Sequence, residues 1–329
     1  MADLAVKGRS RQKAAPSPWK QKKRKPSKPG SGVASLNGKW AYVFIAPFIA
    51  MFLIFGLFPV VFSTQLAFYK YDPLSLEQTW SWVGLDNFKD ILADETFWIS
   101  LGNTFEIWAL STFPQMIMAI GFAAILRSRF LRGKTFWRTI LLVPNITSVI
   151  AVAIIFGQLF GRDFGMINTA IGFFGLEHID FIENSFASHV AVATMITWRW
   201  VGYNSLIFLA SMLAIPDELY ESASLDGAGA WKQFTNVTLP GLKNTITFVL
   251  IVGTIGGLQV YAEPLTLAGD NGGGSSHQLS TLTMYLYNES FINARYGYGA
   301  TIGILITIIV LIISLINFVV TRRVASEDK

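Results

Sequence analysis

Residues Glu221–Pro240 read ESASLDGAGAWKQFTNVTLP, a polar island with a long apolar run on either side. Asp217 and Glu218 precede it, Asp226 and Lys232 lie inside it, and Lys243 follows. A segment facing lipid cannot carry so many polar groups and turn residues, because hydrocarbon offers them no hydrogen-bond partners. The island therefore lies outside the bilayer, between two spans. Ile215-Pro216-Asp217 is a helix start, with Pro at the first turn and acids within it, and Asp226-Gly227 supplies the break. Trp231, Phe234 and Val237 then recur every third residue, an apolar stripe that wants a partner surface. Leu239-Pro240 ends the island.

Composition agrees with a membrane protein. Of the 329 residues, 52% are hydrophobic and 14% charged, well below the roughly 25% charged share of soluble domains. There is no Cys, which excludes disulfides and thiolate metal sites. His178, His189 and His277 lie far apart, without ligand spacing, so no metal site is expected. Six apolar runs fall near 41–68, 97–126, 136–160, 187–213, 243–266 and 298–321, each near the roughly 20 helical residues a hydrocarbon core requires. The reading is an all-α membrane protein with six transmembrane helices. Pro47, Pro59, Pro114 and Pro144 fall inside runs, as a membrane bundle tolerates.

Charge asymmetry sets the orientation. Residues 1–40 hold eleven Lys/Arg against one acid, Asp3, a basic cytoplasmic tail expected to be disordered and to rest on anionic lipid rather than on nucleic acid. Arg127, Arg129, Arg132 and Lys134 mark the loop 127–135, and Arg322 and Arg323 mark the C-tail. The other connections, about 69–96, 161–186 and 267–297, carry only Lys70, Lys89, Arg162 and Arg295 against many acids. Both termini and the island are thus expected in the cytoplasm. The domain reading is a tail over 1–40, a six-span domain over 41–322 containing the loop 214–240, and a C-tail over 323–329.

The spacing of Glu221, Ala223, Gly227 and Val237-x-Leu239-Pro240 resembles the EAA loop of ABC importer permease subunits. That signature runs Glu-Ala-Ala, three residues, Gly, nine residues, an aliphatic, one residue, Leu-Pro. Ser222 stands where it has Ala, and Val237 where it usually has Ile. Val83-Gly84-Leu85-Asp86-Asn87-Phe88 and Asn103-Thr104-Phe105 are also similar to sugar-type permeases, and the likeness spans about 40–322. It implies the type I ABC importer permease fold, in the bacterial inner membrane and closest to maltose-type and glycerol-phosphate-type subunits. It further implies a second permease, two ATP-binding subunits that hold the ATP and Mg, and an extracytoplasmic solute-binding protein. The resemblance assigns ATPase coupling to Glu221, Ala223, Asp226, Gly227, Ala228, Phe234, Leu239 and Pro240. In the last outside loop, the family's Leu-Thr-x-Gly-Gly-Pro is replaced by Leu265-Thr266 followed by AGDNGGG over 268–274.

The chain itself is not expected to be an enzyme or to hold a cofactor. Gly133-Lys134-Thr135 mimics the end of a phosphate-binding loop, but Ser128 stands where that motif needs Gly, and no strand precedes it. An ion-coupled secondary transporter, the alternative class, would need buried acid or His relays and repeated halves. Only Glu106 and Glu263 lie near spans, and no clear repeat is visible.

In the fourth run Ile196, Arg199, Trp200 and Tyr203 share one helical face. Arg199 lies about 12 residues from the nearer end of its run, roughly 18 Å at 1.5 Å per residue. A charge at that depth costs at least ~2.5 kcal/mol, so it should face a cavity or a partner. Gly253, Gly256, Gly257 and Val260 repeat the spacing in the fifth run. By distance from Glu221 these eight positions resemble the sugar-lining positions of the maltose-type permease, although only Tyr203 keeps its residue type. Arg199 offers a fork for a carboxylate or phosphate, and Trp200 and Tyr203 offer rings for sugars to stack on. The expected cargo is a sugar or oligosaccharide, with acidic uronate (alginate-like) oligomers, glycerol-phosphate-type and neutral maltodextrin-type cargo all left open. Equally open are a structural pair of Arg199 with Glu106 or Glu263 and close helix packing at the glycines. Trp198 is off this face and is expected to pack.

Overall fold

The computed structural model describes residues 38–71, 80–162, 165–269 and 272–326, with the side chains of 38–41 and 321–326 excluded. Most of the basic tail, all of 327–329, and Asp270 and Asn271 of the last loop lie outside the described residues. The chain divides into two units, residues 1–58 and 59–329.

In the first unit, helix α1 (Gly38–Phe52) contains Pro47 and runs into a π turn, Leu53–Leu57. Its aromatic and aliphatic side chains are exposed on all sides from Tyr42 onward. A helix apolar all round has no polar face to offer water, and lipid is the medium it fits.

The second unit takes up the chain at Pro59, within α2 (Phe58–Leu66). A two-residue antiparallel ladder follows, β1 (Tyr69–Lys70) with β2 (Ser81–Trp82), pairing Tyr69 with Trp82 and Lys70 with Ser81. Helix α3 (Asp86–Ala93) then leads to α4 (Glu95–Arg127), whose 33 residues are capped by Asp94 Oδ1 accepting from the Thr96 N–H at 2.8 Å. At 1.5 Å per residue α4 is about 50 Å long, enough to cross a bilayer and protrude.

The third apolar run is not one rod. It forms α5 (Lys134–Ile146) and α6 (Val149–Leu159), which meet at 93°. Pro144 cannot donate its backbone hydrogen bond, and Thr147 and Ser148 turn extended just beyond it. Hydropathy is continuous across this corner, so periodicity alone does not reveal it. Helix α7 (Met166–Phe173) occupies part of the next loop, and α8 (Ser185–Leu213) follows, capped by Asn184 Oδ1 accepting from the Ala187 N–H at 2.9 Å.

The island forms α9 (Asp217–Leu225), α10 (Ala230–Gln233), a π turn (Phe234–Thr238) and α11 (Leu239–Gly241). Helix α12 (Lys243–Gly257) leaves it at a bend of 64°. The fifth run is also broken: α12 stops at Gly257, and α13 (Ala262–Ala268) resumes with Pro264 in its first turn. Helix α14 (Leu282–Tyr287), a π turn (Asn288–Ile292) and α15 (Tyr296–Ser326) complete the chain.

Among the described residues, Tyr42–Leu66, Glu95–Arg127 and Tyr296–Val320 are long and apolar enough to cross a membrane, and the two bent pairs raise the number to five. Helix α8 has the length, at 29 residues, but carries His189, Arg199 and Asn204. It is sheathed by α4, with which it shares the most extensive helix–helix interface, and by α5 and α12. The face these helices cover needs no lipid-compatible surface, while Trp198, Trp200 and Tyr203 stay exposed. The core lies along these contacts: Ile107, Phe156, Met195 and Ile196 form one cluster, and Phe208, Met212, Leu242 and Val249 another nearer the island.

Candidate functional site

The island is built by its own capping chemistry. Helix α9 ends in a six-residue hydrogen-bond pattern: Ala228 N–H donates to Ala223 O at 2.9 Å and Gly227 N–H to Ser224 O at 3.0 Å. This closure requires a left-handed residue after the cap, and Gly227 supplies it at φ +76°. Nothing lies within 4 Å of where a Gly227 Cβ would sit, so the requirement for Gly is conformational, not steric. Gln233 Nε2 donates to Ala228 O at 3.0 Å and ties α10 back to this turn.

Arg127 anchors the island to the bundle, and two further contacts close the island on itself. Arg127, at the end of α4, reaches Asp217 Oδ1 at 3.4 Å and places its guanidinium 4.1 Å from the centre of the Tyr220 ring. The Tyr220 hydroxyl lies 2.9 Å from Thr238 Oγ1, joining α9 to the π turn. Ile215 is buried against Gly241, where a Cβ would approach its Cδ1 to 2.6 Å. The anchored face leaves the opposite one bare. Glu221, Asp226, Gly227 and Pro240 are exposed, while Ala223, Ala228, Phe234 and Leu239 are half-buried. Leu225 is 90% exposed and Trp231 74%. Trp231 stacks on Phe234 with ring centres 5.7 Å apart, while Val237 is half-buried.

The eight positions on the fourth and fifth runs separate into three groups. Ile196 and Val260 are buried in one core cluster. Arg199 Nη1 meets Glu263 Oε1 at 3.3 Å, with Glu263 at the start of α13. Of the two acids open from the sequence, Glu263 is the partner, whereas Glu106 lies against His189 at 3.0 Å. The pair is incomplete, since Arg199 Nε is buried without a hydrogen-bond partner. Trp200 and Tyr203 are 38% and 42% exposed, with ring centres 5.9 Å apart, and the Arg199 guanidinium lies 5.8 Å from the Trp200 ring centre.

The glycines differ among themselves. A Cβ on Gly256 would meet open space, one on Gly253 would make ordinary contact with Thr112, and one on Gly257 would approach Trp108 Cδ1 to 2.6 Å. Close packing therefore accounts for Gly257 alone. Trp198 lies 5.5 Å from Phe156, ring centre to ring centre, and lines an apolar cavity of about 680 Å³ with Leu110, Pro114, Ile140 and Pro144.

Asn103 and Thr104, singled out in the sequence by resemblance alone, belong to a second polar constellation that the sequence reading did not assemble. Ser100, Asn103 and Thr104 stand at i, i+3 and i+4 on α4 and hold residues 277–282. Ser100 Oγ lies 2.9 Å from Ser280 Oγ, Asn103 Nδ2 donates to His277 O and Ser280 O at 2.8 and 2.9 Å, and Thr104 Oγ1 accepts from the Leu282 N–H at 2.9 Å. A polar stripe at helical spacing inside an apolar run was the available signal. Outside the spans, burial alone would raise the Asp94 carboxyl. Hydrogen bonds from the Tyr285 hydroxyl, Thr96 and the Tyr298 hydroxyl outweigh it and hold Asp94 below the usual carboxylate range.

Comparison with known proteins agrees with this architecture. The family described as "Binding-protein-dependent transport system inner membrane component" matches residues 115–326. The arabinooligosaccharides transport system permease protein AraP of Bacillus subtilis is 33% identical, over 84% of this chain and 86% of its own. The lactose transport system permease protein LacF of Rhizobium radiobacter is also 33% identical, over 86% of this chain and 94% of its own. A chain in the crystal structure of a bacterial alginate ABC transporter, in complex with alginate pentasaccharide-bound periplasmic protein, superposes with a TM-score of 0.74 and 25% identity, over 88% of this chain and 96% of that one. This chain belongs to the family of binding-protein-dependent transport system inner membrane components, the permease subunits of ABC transporters.

Proposed function

We propose that this subunit forms part of the translocation path of an ATP-driven, solute-binding-protein-dependent sugar importer, and that the island 214–240 is its coupling element. The observation that carries the reading is the island itself. It is a capped helix–turn–helix tied to α4 on one face, with Glu221, Leu225 and Trp231 exposed on the other. Such a bare, mixed apolar and acidic face suits a protein cleft better than either lipid or water. In this reading the chain crosses the bilayer six times, with α8 as the span most covered by its neighbours and both termini in the cytoplasm. A second permease completes the path, two ATP-binding subunits hold ATP and Mg against the island, and an extracytoplasmic binding protein delivers cargo. Closure of the ATPases moves the island as a unit and tips the spans from inward-facing to outward-facing.

For cargo we propose an oligosaccharide, with a uronate-type acidic oligomer as the first candidate. The likeness to the alginate transporter supports this, as does the unfilled hydrogen-bonding capacity of Arg199. The Arg199–Glu263 pair and the relatives named for lactose and arabino-oligosaccharides favour neutral cargo as the second reading.

The coupling proposal is tested by Glu221→Ala and Gly227→Pro in the reconstituted transporter. ATP hydrolysis should continue while uptake per ATP falls, within the roughly 5- to 150-fold range of ordinary coupling energies. Normal uptake per ATP in both variants would overturn the assignment.

A further inference from the structure

Aromatic rings on the connections opposite the island are not scattered. Trp80, just ahead of β2, lies 4.8 Å from Tyr71, ring centre to ring centre, and Tyr71 lies 6.0 Å from Tyr296 at the start of α15. From there the contacts pass to Phe291 at 6.4 Å, to Tyr287 at 5.2 Å and to Tyr261 at 5.4 Å. The rings form one unbroken series, drawn from segments far apart in sequence. None is closed off in a core: Trp80 is 47% exposed, Phe291 61%, and the other four are half-buried.

The series has a direction. Tyr261 caps α13. It follows Val260, which is buried in the same cluster as Ile196, and stands two residues before Glu263, the partner of Arg199. A girdle of Trp and Tyr at a membrane surface holds its rings at one depth. Here the rings lead from the β1–β2 ladder towards the pair that the fourth and fifth runs enclose.

Local packing sets the rings in place. A Cβ on Gly297 would run into the Tyr69 backbone oxygen, so the chain at Tyr296 is pressed against β1, next to Tyr71. Arg295 Nη1 meets Glu289 Oε2 at 2.8 Å, which fixes the loop between Phe291 and Tyr296. Tyr71 also lines a cavity of about 440 Å³, which it shares with Lys70, Asn87, Asp90, Asn293 and Arg295.

Rings with polar groups alongside suit one class of ligand. A pyranose is apolar on its C–H faces and polar around its rim of hydroxyls. An aromatic face is negative at its centre and attracts those C–H groups, while neighbouring amide, carboxylate and basic groups take up the hydroxyls. The steps of 4.8–6.4 Å from ring to ring are close to the length of one sugar unit in an extended chain. We infer that the rings from Trp80 to Tyr261 form an entry track, on which an oligosaccharide stacks unit by unit on its way to Arg199. The inference rests on the sugar-importer reading above and adds to it a cargo site outside the Arg199 region. A long oligomer lies on the outer rings while its leading units reach Arg199, and a disaccharide is too short to do both.

Cargo length therefore provides the test, in the assembled transporter in proteoliposomes with saturating loaded binding protein. The probes are the disaccharide and the pentasaccharide of three series, uronate, arabinan and α-glucan. The ratio of their maximal uptake rates is read in each series that the native transporter imports. Phe291→Ala and Trp80→Ala should each lower pentasaccharide uptake about five- to tenfold relative to disaccharide uptake, as for the loss of one stacking ring. Phe291→Leu keeps the apolar bulk without a flat face and should fall as far, whereas Phe291→Trp should restore the native ratio. ATP hydrolysis stimulated by the disaccharide-loaded binding protein should stay at the native level throughout. An unchanged ratio in both alanine variants overturns the inference. So does a native ratio in Phe291→Leu, which would make the rings a lipid-facing girdle. An equal fall for both lengths, with stimulation of hydrolysis lost, overturns it in favour of a docking surface for the binding protein. A native transporter that imports none of the three series defeats the cargo reading itself, a result distinct from all of these.

Discussion

At the scale of single residues, Arg199 is where the chain commits charge to its interior. Its bond to Glu263 is single and long, at 3.3 Å, and both side chains are mostly buried, at 19% and 9% exposure. Removing one partner of a buried pair strands the other, at a cost of about 3–5 kcal/mol where burial is complete and less here. Arg199→Gln alone should therefore lower the melting temperature of the assembled transporter, and Arg199→Gln with Glu263→Gln should restore most of it. Cargo separates the two roles. If Arg199 receives an acidic sugar, the double variant stays stable but loses uptake of uronate oligomers by about tenfold or more, while neutral oligomers are spared, since a charge-assisted fork is worth about 1.5–3 kcal/mol. Equal uptake of acidic oligomers by native and double-variant transporters would leave the pair a structural one. Gly257 belongs to the same scale. With Trp108 Cδ1 2.6 Å from any added Cβ, Gly257→Val should overpack the α4–α12 contact and destabilise by about 1–3 kcal/mol, whereas Gly256→Ala, facing open space, should be nearly silent in a thermal melt.

At the scale of elements, the junction between α3 and α4 is tied to α14 and α15 through one carboxylate. The Tyr285 hydroxyl donates to Asp94 Oδ2 at 2.5 Å and the Tyr298 hydroxyl to the same atom at 3.2 Å. Because Asp94 is held below its ordinary value near 3.8, its stabilisation is present above that value and is lost as pH falls through the lower, folded one. Tyr285→Phe removes the strongest of these bonds. It should cost about 1.5–3 kcal/mol at neutral pH, as for a hydrogen bond to a charged group, and should make acid unfolding begin at higher pH in a circular-dichroism titration. These elements also show what a sequence discloses. The long α4 and α15 and the break at Gly227 are legible because hydropathy and turn chemistry are local. The corner at Thr147–Ser148 and the break after Gly257 are not, since an apolar run reads the same whether continuous or interrupted. The Ser100, Asn103 and Thr104 stripe was visible as spacing, but its meaning depends on residues 277–282, some 180 positions away in the chain. Arg199 could be identified as needing a partner, but the choice between Glu106 and Glu263 waits on how α13 folds back.

At the scale of the whole molecule, the proposed coupling asks how motion at the island would reach the spans. A handle transmits force only if it moves with what it is fastened to. Here the fastening is Arg127, which closes α4 and lays its guanidinium on Tyr220 while reaching Asp217. Asp217 is 88% exposed, so the ion pair contributes little. The guanidinium over the ring, at 4.1 Å and with Arg127 only 23% exposed, is the stronger bond, about 0.5–2 kcal/mol, and the Tyr220–Thr238 contact extends it to the far half of the island. Because α4 and α8 share the most extensive interface in the second unit, whatever holds the island to α4 holds it to α8 as well. Arg127→Ala should therefore leave folding and ATP hydrolysis largely intact and reduce uptake per ATP several-fold. Tyr220→Leu should do the same, while Asp217→Asn should have little effect. This order ranks the ring contact above the ion pair, and it is read by measuring transport and phosphate release together in proteoliposomes. If Asp217→Asn uncouples as strongly as Arg127→Ala, the ion pair is the fastening and the ring is incidental. If none of the three uncouples, force enters the bundle through α12 and the bend at Leu242 instead of through α4.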